Sequence, residues 1–190
     1  MNRFFAMLSR MKYIDRWGLM NNTKTENISE HSLEVAILAH ALVSIANVRL
    51  GENLNADKAA VIAIFHDAGE IITGDMPTPI KYYNPEIKSA YKAIEKVAEE
   101  RLISMLPENL RPIYRPVISN EDAVLEQYVK AADKLSALIK CIEEVRMGNN
   151  EFLKAKESTE ASIRNMTLPA LEIFMEECMP AYYLTLDELG

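Results

Sequence analysis

The stretch Ala60-Val61-Ile62-Ala63-Ile64-Phe65-His66-Asp67-Ala68-Gly69-Glu70 places two metal-ligating side chains where a helix would otherwise bury Ile, Val and Phe. An unpaired buried carboxylate costs several kcal/mol or takes up a proton. The His66-Asp67 pair therefore demands a compensating partner, and a divalent cation is the obvious one. Outward from this pair, apolar residues recur at helical spacing and alternating β-branched runs are absent, which predicts an all-α chain.

Upstream, Phe4, Phe5, Leu8 and Met11 form an apolar stripe ending before Asp15-Arg16-Trp17. Asn27 or Ser29 caps a second helix that runs to about Asn47, and Asn27 with Glu30 resembles a capping box. A third helix is expected from Ala56 to about Ile72, stopped at Gly74. The prolines of Gly74-Asp75-Met76-Pro77-Thr78-Pro79 forbid its continuation. Charged helix follows from about Glu86 to Leu106, then a loop punctuated by Pro107, Pro112 and Pro116. A long helix over about Asp122 to Met147 stops at Gly148-Asn149-Asn150, and a last helical region spans about Phe152 to Cys178. With no repeat or linker, residues 1–190 read as one domain.

The chain has 190 residues, 49% of them hydrophobic, and a net charge of -7. That charge argues against nucleic acid or an anionic membrane as partner, but not against a small phosphorylated ligand. Cys141 and Cys178 are the only cysteines and form no CxxC spacing, so a reduced, cytoplasmic setting is expected. The N-terminus lacks the features of a signal peptide. No apolar stretch reads as approaching the roughly 20 residues that span a bilayer.

Three histidines limit the site. His40 lies nine residues after His31, about 180° round the helix at about 100° per residue, so the two cannot share a metal. His31, at a helix start bordering a loop, is the better companion for His66; His40 reads as a core or surface residue. Asp133 sits among Val129, Ala132 and Ala137 and is a candidate carboxylate ligand. It reads equally as a solvated aspartate paired with Lys130 or Lys134. Glu70 follows His66 by four residues, on the same side of a helix, where it could serve as general base or as partner of a ligand histidine. Arg16 offers a planar fork of donors matched to phosphate, and Trp17 a ring for a sugar or base. By themselves these two also read as a surface arginine over a packing aromatic.

The ordered set Arg16-Trp17, Thr25-Glu26-Asn27-Ile28-Ser29-Glu30-His31-Ser32, His66-Asp67-Ala68-Gly69-Glu70 and Thr73-Gly74-Asp75-Met76-Pro77-Thr78-Pro79-Ile80-Lys81-Tyr82 resembles the HD-domain metallohydrolases. Within them it resembles the bacterial YfbR-like 5′-deoxynucleotidases. The resemblance continues through Ala132-Asp133, Gly148-Asn149-Asn150-Glu151-Phe152 and Leu184-Thr185-Leu186-Asp187-Glu188. It implies a single HD-domain helical bundle and one divalent metal held by His31, His66, Asp67 and Asp133. Such ligands suit Co, Mn, Ni, Fe or Zn without choosing among them.

The resemblance further implies hydrolysis of deoxyribonucleoside 5′-monophosphates, with Glu70, Arg16 and Asp67 in catalysis. Arg16, Trp17, His31, Asp67, Asp75, Met76, Pro77, Thr78 and Asp133 would bind substrate. Trp17 would wall off a ribose 2′-hydroxyl, and no Asn/Gln pair stands ready to read a base edge. A homodimer is the family expectation, with Ala170-Leu171-Glu172-Ile173-Phe174-Met175 as a candidate interface or core. The sequence departs from the family pattern at Gly18, where proline is common, and at Asn21, where arginine is frequent. An HD-type nucleoside triphosphate or alarmone hydrolase, or a non-catalytic nucleotide-sensing module, are the competing readings.

Overall fold

A computed structural model describes residues 1–81 and 83–190; Tyr82 of the Lys81-Tyr82 motif lies outside the described residues. Among the described residues every element is helical, and the sole β-type pairing is an isolated bridge between Asp15 and Asn27. The α-helices are α1 (Phe4–Leu8), α2 (Ile28–Leu50), α3 (Ala56–Phe65), α4 (Glu70–Thr73), α5 (Thr78–Lys81) and α6 (Pro85–Ser104). They continue with α7 (Arg111–Ile118), α8 (Ala123–Arg146), α9 (Leu153–Arg164), α10 (Pro169–Glu177) and α11 (Leu186–Leu189). Short 3-10 turns cover Ser9–Tyr13, Asn150–Phe152 and Met179–Tyr183.

The chain divides into two compact units, one of residues 1–33 and 61–122, the other of 34–60 and 123–190. The core of the first unit is Phe4, Ala68, Leu102, Ile103, Leu106 and Ile118. Its aromatic edge sets the Tyr114 ring against Phe4, Phe5 and Phe65 at 5.4–5.9 Å. These rings hold α1 and the end of α3, so the helix that leads into His66 is anchored by edge-on aromatic packing.

In the second unit α8 buries Leu135, Leu138, Ile139 and Ile142, and packs against α9 and the two 3-10 turns of that unit. Lys140 and Glu144 lie within this apolar stretch, almost wholly buried, and form an ion pair. Asn149 Nδ2 donates to the second oxygen of Glu144 at 2.8 Å, and Lys140 stands 5.7 Å from the Phe152 ring. The Gly148-Asn149-Asn150 turn is thereby tied to α8, with Gly148 at φ 86° where a side chain would be strained.

Several boundaries differ from the sequence expectation. Asn27 caps α2 as expected, its Oδ1 accepting from Ser29 and Glu30 N–H at 3.0 and 3.1 Å. The helix runs three residues past Asn47, whose side chain exchanges two 2.8 Å bonds with Leu54 instead of breaking it. The third helix is not continuous: α3 ends at Phe65, residues 66–69 form a turn, and α4 resumes at Glu70. The proline-rich stretch expected as loop contains α7, because Pro112 occupies the first turn where its missing N–H costs nothing. The last helical region is broken at 165–168 by Pro169, which starts α10. The 170–175 stretch is core, since Ala170, Leu171 and Phe174 are buried.

The reading that no apolar stretch approaches a bilayer-spanning length is also corrected. At 23 residues, α2 is long and apolar enough by composition. It buries Val35, Leu38, Leu42 and Val43 in the protein and carries Glu30, His31 and Glu34, as the core helix of a globular fold does.

Glu144→Ala leaves a buried ammonium without its carboxylate. It is expected to cost about 3–5 kcal/mol of unfolding free energy, measured by urea denaturation, with the Asn149 turn the first region to exchange its amides.

Candidate metal and substrate site

His31 lies in the first turn of α2 and is fully buried. His66 and Asp67 occupy the turn after α3. There the backbone closes bonds of 3-10 type: Ala68 N–H to Phe65 at 3.0 Å, Glu70 N–H to Asp67 at 3.0 Å, Ile72 N–H to Gly69 at 3.0 Å. This tight turn swings the Asp67 carboxylate onto both imidazoles. Its Oδ2 stands 3.4 Å from His31 Nε2 and 3.2 Å from His66 Nε2, and the two rings are 5.2 Å apart.

The His66 tautomer follows from geometry. Nδ1 lies 2.6 Å from the Ala63 carbonyl, which only accepts, so Nδ1 carries a proton and Nε2, on the Asp67 side, is the nitrogen left for a metal. Donors about 2.0–2.1 Å from a shared cation stand roughly 3.0–3.4 Å apart in octahedral or tetrahedral sites. The donor atoms, their spacing and the tautomer all fit a divalent metal. Asp133 belongs to the other compact unit, on α8, with its side chain about one-third exposed and Lys134 Nζ 3.7 Å away. His40 is exposed and lies 3.5 Å from Asp57, in keeping with its reading as a surface residue.

Glu70 opens α4 and is 7% exposed, and its buried Oε2 has no hydrogen-bond partner among the described residues. Burial, then the charges of Asp67 and Asp75, push its carboxyl from 4.5 up to about 10. Proximity to Asp67 was expected from helical periodicity. The turn at 66–69 delivers it by another route, since those residues are not helical.

Arg16 and Trp17 are half-buried on the loop before α2. Glu26, given no role from the sequence, holds both: its Oε2 accepts from Arg16 Nη1 at 2.6 Å and from Trp17 Nε1 at 3.0 Å. The backbone reinforces this, with Arg16 N–H donating to the Glu26 carbonyl at 2.8 Å. Trp17 has φ 60°, a left-handed conformation that costs a bulky residue about 1–3 kcal/mol and clusters at functional sites. Arg16 lies 5.8 Å from the Trp17 ring. The signal for Glu26 was available only as an acid in the polar loop that returns to Arg16.

Gly74, at φ 74°, ends α4 and turns the chain into the Asp75 loop. Burial pushes the Asp75 carboxyl upward, Arg16 opposes this, Asp67 adds to it, and the Trp17 backbone N–H bonded to it opposes it. Asp75 thus faces the Arg16–Trp17 pair. Met76 and Pro77 are half-buried and Thr78 is exposed at the start of α5. Lys81 ends α5, bonded to Glu95 at 2.8 Å and 4.9 Å from the Tyr91 ring. Gly18, where proline is common in the family pattern, sits in open space, and Asn21, where arginine is frequent, is exposed.

The helical fold is shared with HD-domain phosphohydrolases of known structure. An HD-domain phosphohydrolase from Listeria innocua superposes with a TM-score of 0.83 at 24% identity, covering 95% of this chain and 88% of that one. A cyanophage S-2L HD phosphohydrolase bound to dA and one catalytic Zn²⁺ superposes at 0.67 with 21% identity, covering 95% and 96%. The chain belongs to the 5′-deoxynucleotidase YfbR-like family, whose profile matches residues 3–182. The 5′-deoxynucleotidase YfbR of Escherichia coli strains SMS-3-5 and SE11 is 50% identical over all of this chain and 96% of the relative.

Because the folded carboxyl of Glu70 titrates above its unfolded value, unfolding releases a proton at neutral pH. Stability contributed by the protonated form is whole below about 4.5 and lost as pH rises toward about 10. Glu70→Gln should therefore raise the stability of metal-free protein by up to about 3 kcal/mol at pH 7, with the gain vanishing near pH 4. Thermal unfolding across that range measures it.

Proposed function

We propose that the chain is a metal-dependent 5′-deoxynucleotidase, hydrolysing deoxyribonucleoside 5′-monophosphates to deoxynucleoside and inorganic phosphate with broad base tolerance. The observation that carries this is Glu70, a buried carboxylate with an unpartnered oxygen, set beside an aspartate that meets two imidazole nitrogens. A purely structural metal site needs no such group. The E. coli relatives, at 50% identity, bear the name of this activity.

His31, His66, Asp67 and Asp133 are the residues assigned to hold one divalent ion, of Co, Mn, Ni, Fe or Zn type. When bound, such an ion acidifies water and offsets charge on the phosphoryl group. Glu70 takes the proton from the attacking water, or orients it, and its elevated proton affinity suits a base once a cation has drawn the carboxylate into its charged form. Water adds to phosphorus, the bond from phosphorus to the 5′-oxygen breaks, and that oxygen leaves with a proton.

Arg16, fixed by Glu26, presents its guanidinium to the phosphate. Trp17, locked at positive φ and tethered through its indole N–H, stands against the sugar where a 2′-hydroxyl would find no partner. Asp75 accepts from a sugar hydroxyl, and Met76, Pro77 and Thr78 complete the loop that closes on the substrate. Residues 1–190 act as a single HD domain, in the cytoplasm and as a homodimer, with no nucleic-acid or membrane partner. Exposed Leu33 and Ile37, one turn apart on α2, are the apolar surface a second copy would cover.

Phosphate release from dAMP and dUMP is expected, at least about tenfold faster than from AMP, lost on chelation and in Asp67→Ala. Equal turnover of AMP, or none of any monophosphate, would overturn the reading. Arg16→Ala should lower kcat/KM about 10- to 100-fold, and Glu26→Ala should reproduce part of that loss with Arg16 still present.

A further inference from the structure

Within the unit of residues 1–33 and 61–122, a cavity of about 760 Å³ opens among α1, the Ser9–Tyr13 turn, α4 and α6. Arg3, Arg10, Lys12 and Arg101 line it, and no carboxylate does. None of these four cations makes an ion pair among the described residues. In a chain of net charge -7, four cations gathered without an acid create a local field opposite to that of the whole molecule. Their mutual repulsion costs free energy that an anion would relieve.

The floor is of another kind. Ala6, Met7, Ile71, Ile72 and Met105 give it an apolar surface. Tyr13 stands at the rim, 63% exposed, with Arg10 and Lys12 at 5.6 and 5.1 Å from its ring centre. Ligand sites usually enclose about 300–1,000 Å³ and combine apolar walls with a few polar groups. A bare inorganic anion would satisfy the rim and leave the floor wet. A ligand with several phosphates and a flat aromatic group matches both halves, its phosphates on the guanidinium forks and its ring against Tyr13.

We propose that this cavity is a second nucleotide site, taking a nucleoside triphosphate on Arg3, Arg10, Lys12 and Arg101 with its base on the Tyr13 side of the apolar floor. The site is distinct from the one around Glu70 and stands whether or not the chain hydrolyses monophosphates. Ile71 and Ile72 directly follow Glu70 in α4, so the occupant packs on the helix that carries that carboxylate.

Calorimetric titration of the full-length, metal-loaded protein with dATP tests it, with inorganic tripolyphosphate as the second probe. Two variants on different elements, Arg10→Glu/Lys12→Glu and Arg101→Glu, are each expected to weaken dATP about 30-fold. Their phosphate release from dAMP without dATP should stay within about twofold of the parent, as for surface changes. Absence of dATP binding to the parent, undiminished binding in both variants, or equal affinity for tripolyphosphate would each overturn the proposal. Loss of dAMP hydrolysis in the parent bears on the Glu70 site alone and leaves the binding comparison intact.

Discussion

Two carboxylates cannot share a buried place as anions unless something positive or a proton stands between them. Asp67 and Glu70 are in that position, with Asp75 as a third acid whose charge both feel. Everything around them answers that constraint. The chain leaves helical geometry at Phe65 so that the Asp67 carboxylate meets His31 and His66 together, and the Ala63 carbonyl fixes the His66 proton on the far nitrogen. A divalent cation resolves the repulsion with a net gain; without one, Glu70 resolves it by holding a proton.

The substrate side depends on a second, local device. One oxygen of Glu26 accepts from both Arg16 and Trp17, so a guanidinium and an indole that would otherwise swing on a polar loop are held as one unit. The positive φ of Trp17 is tolerated because that bond, the backbone pairing to Glu26 and the capped start of α2 over-determine it. Asp75 reaches the same unit through the Trp17 backbone N–H, which joins Arg16, Trp17 and Asp75 into one rim. Pre-ordering of this sort lowers the entropy lost when a small ligand binds.

Legibility in the sequence followed the range of the forces involved. The α2 cap, the Gly74 stop and the Gly148 stop were readable because capping and positive φ are decided by a few neighbouring residues. The break at Phe65 was not read, although His66, Asp67 and Gly69 are weak helix formers, because the apolar periodicity of 60–65 and the resumption at Glu70 mask a four-residue turn. Pro112 and Pro116 suggested a loop, yet α7 forms, since proline is at home in a helix's first turn and tertiary packing of Ile118 overrides the second. The 170–175 stretch was ambiguous between core and interface until burial of Leu171 and Phe174 settled it as core.

By itself, the sequence determined the helical class and the exclusion of His40 from the site of His31, and it singled out His31, His66 and Asp67, whose side chains meet in the structure. Those follow from periodicity and from the small number of histidines, both of which are written along the chain. Only the tertiary structure decided that Glu70 is buried with an unpartnered oxygen, that Glu26 holds Arg16 and Trp17, and that Arg3 before α1, Arg10 and Lys12 in the turn after it and Arg101 in α6 line one cavity. Each of those depends on side chains that the fold gathers or removes from water, where desolvation and Coulomb energies that are small along an extended chain become large.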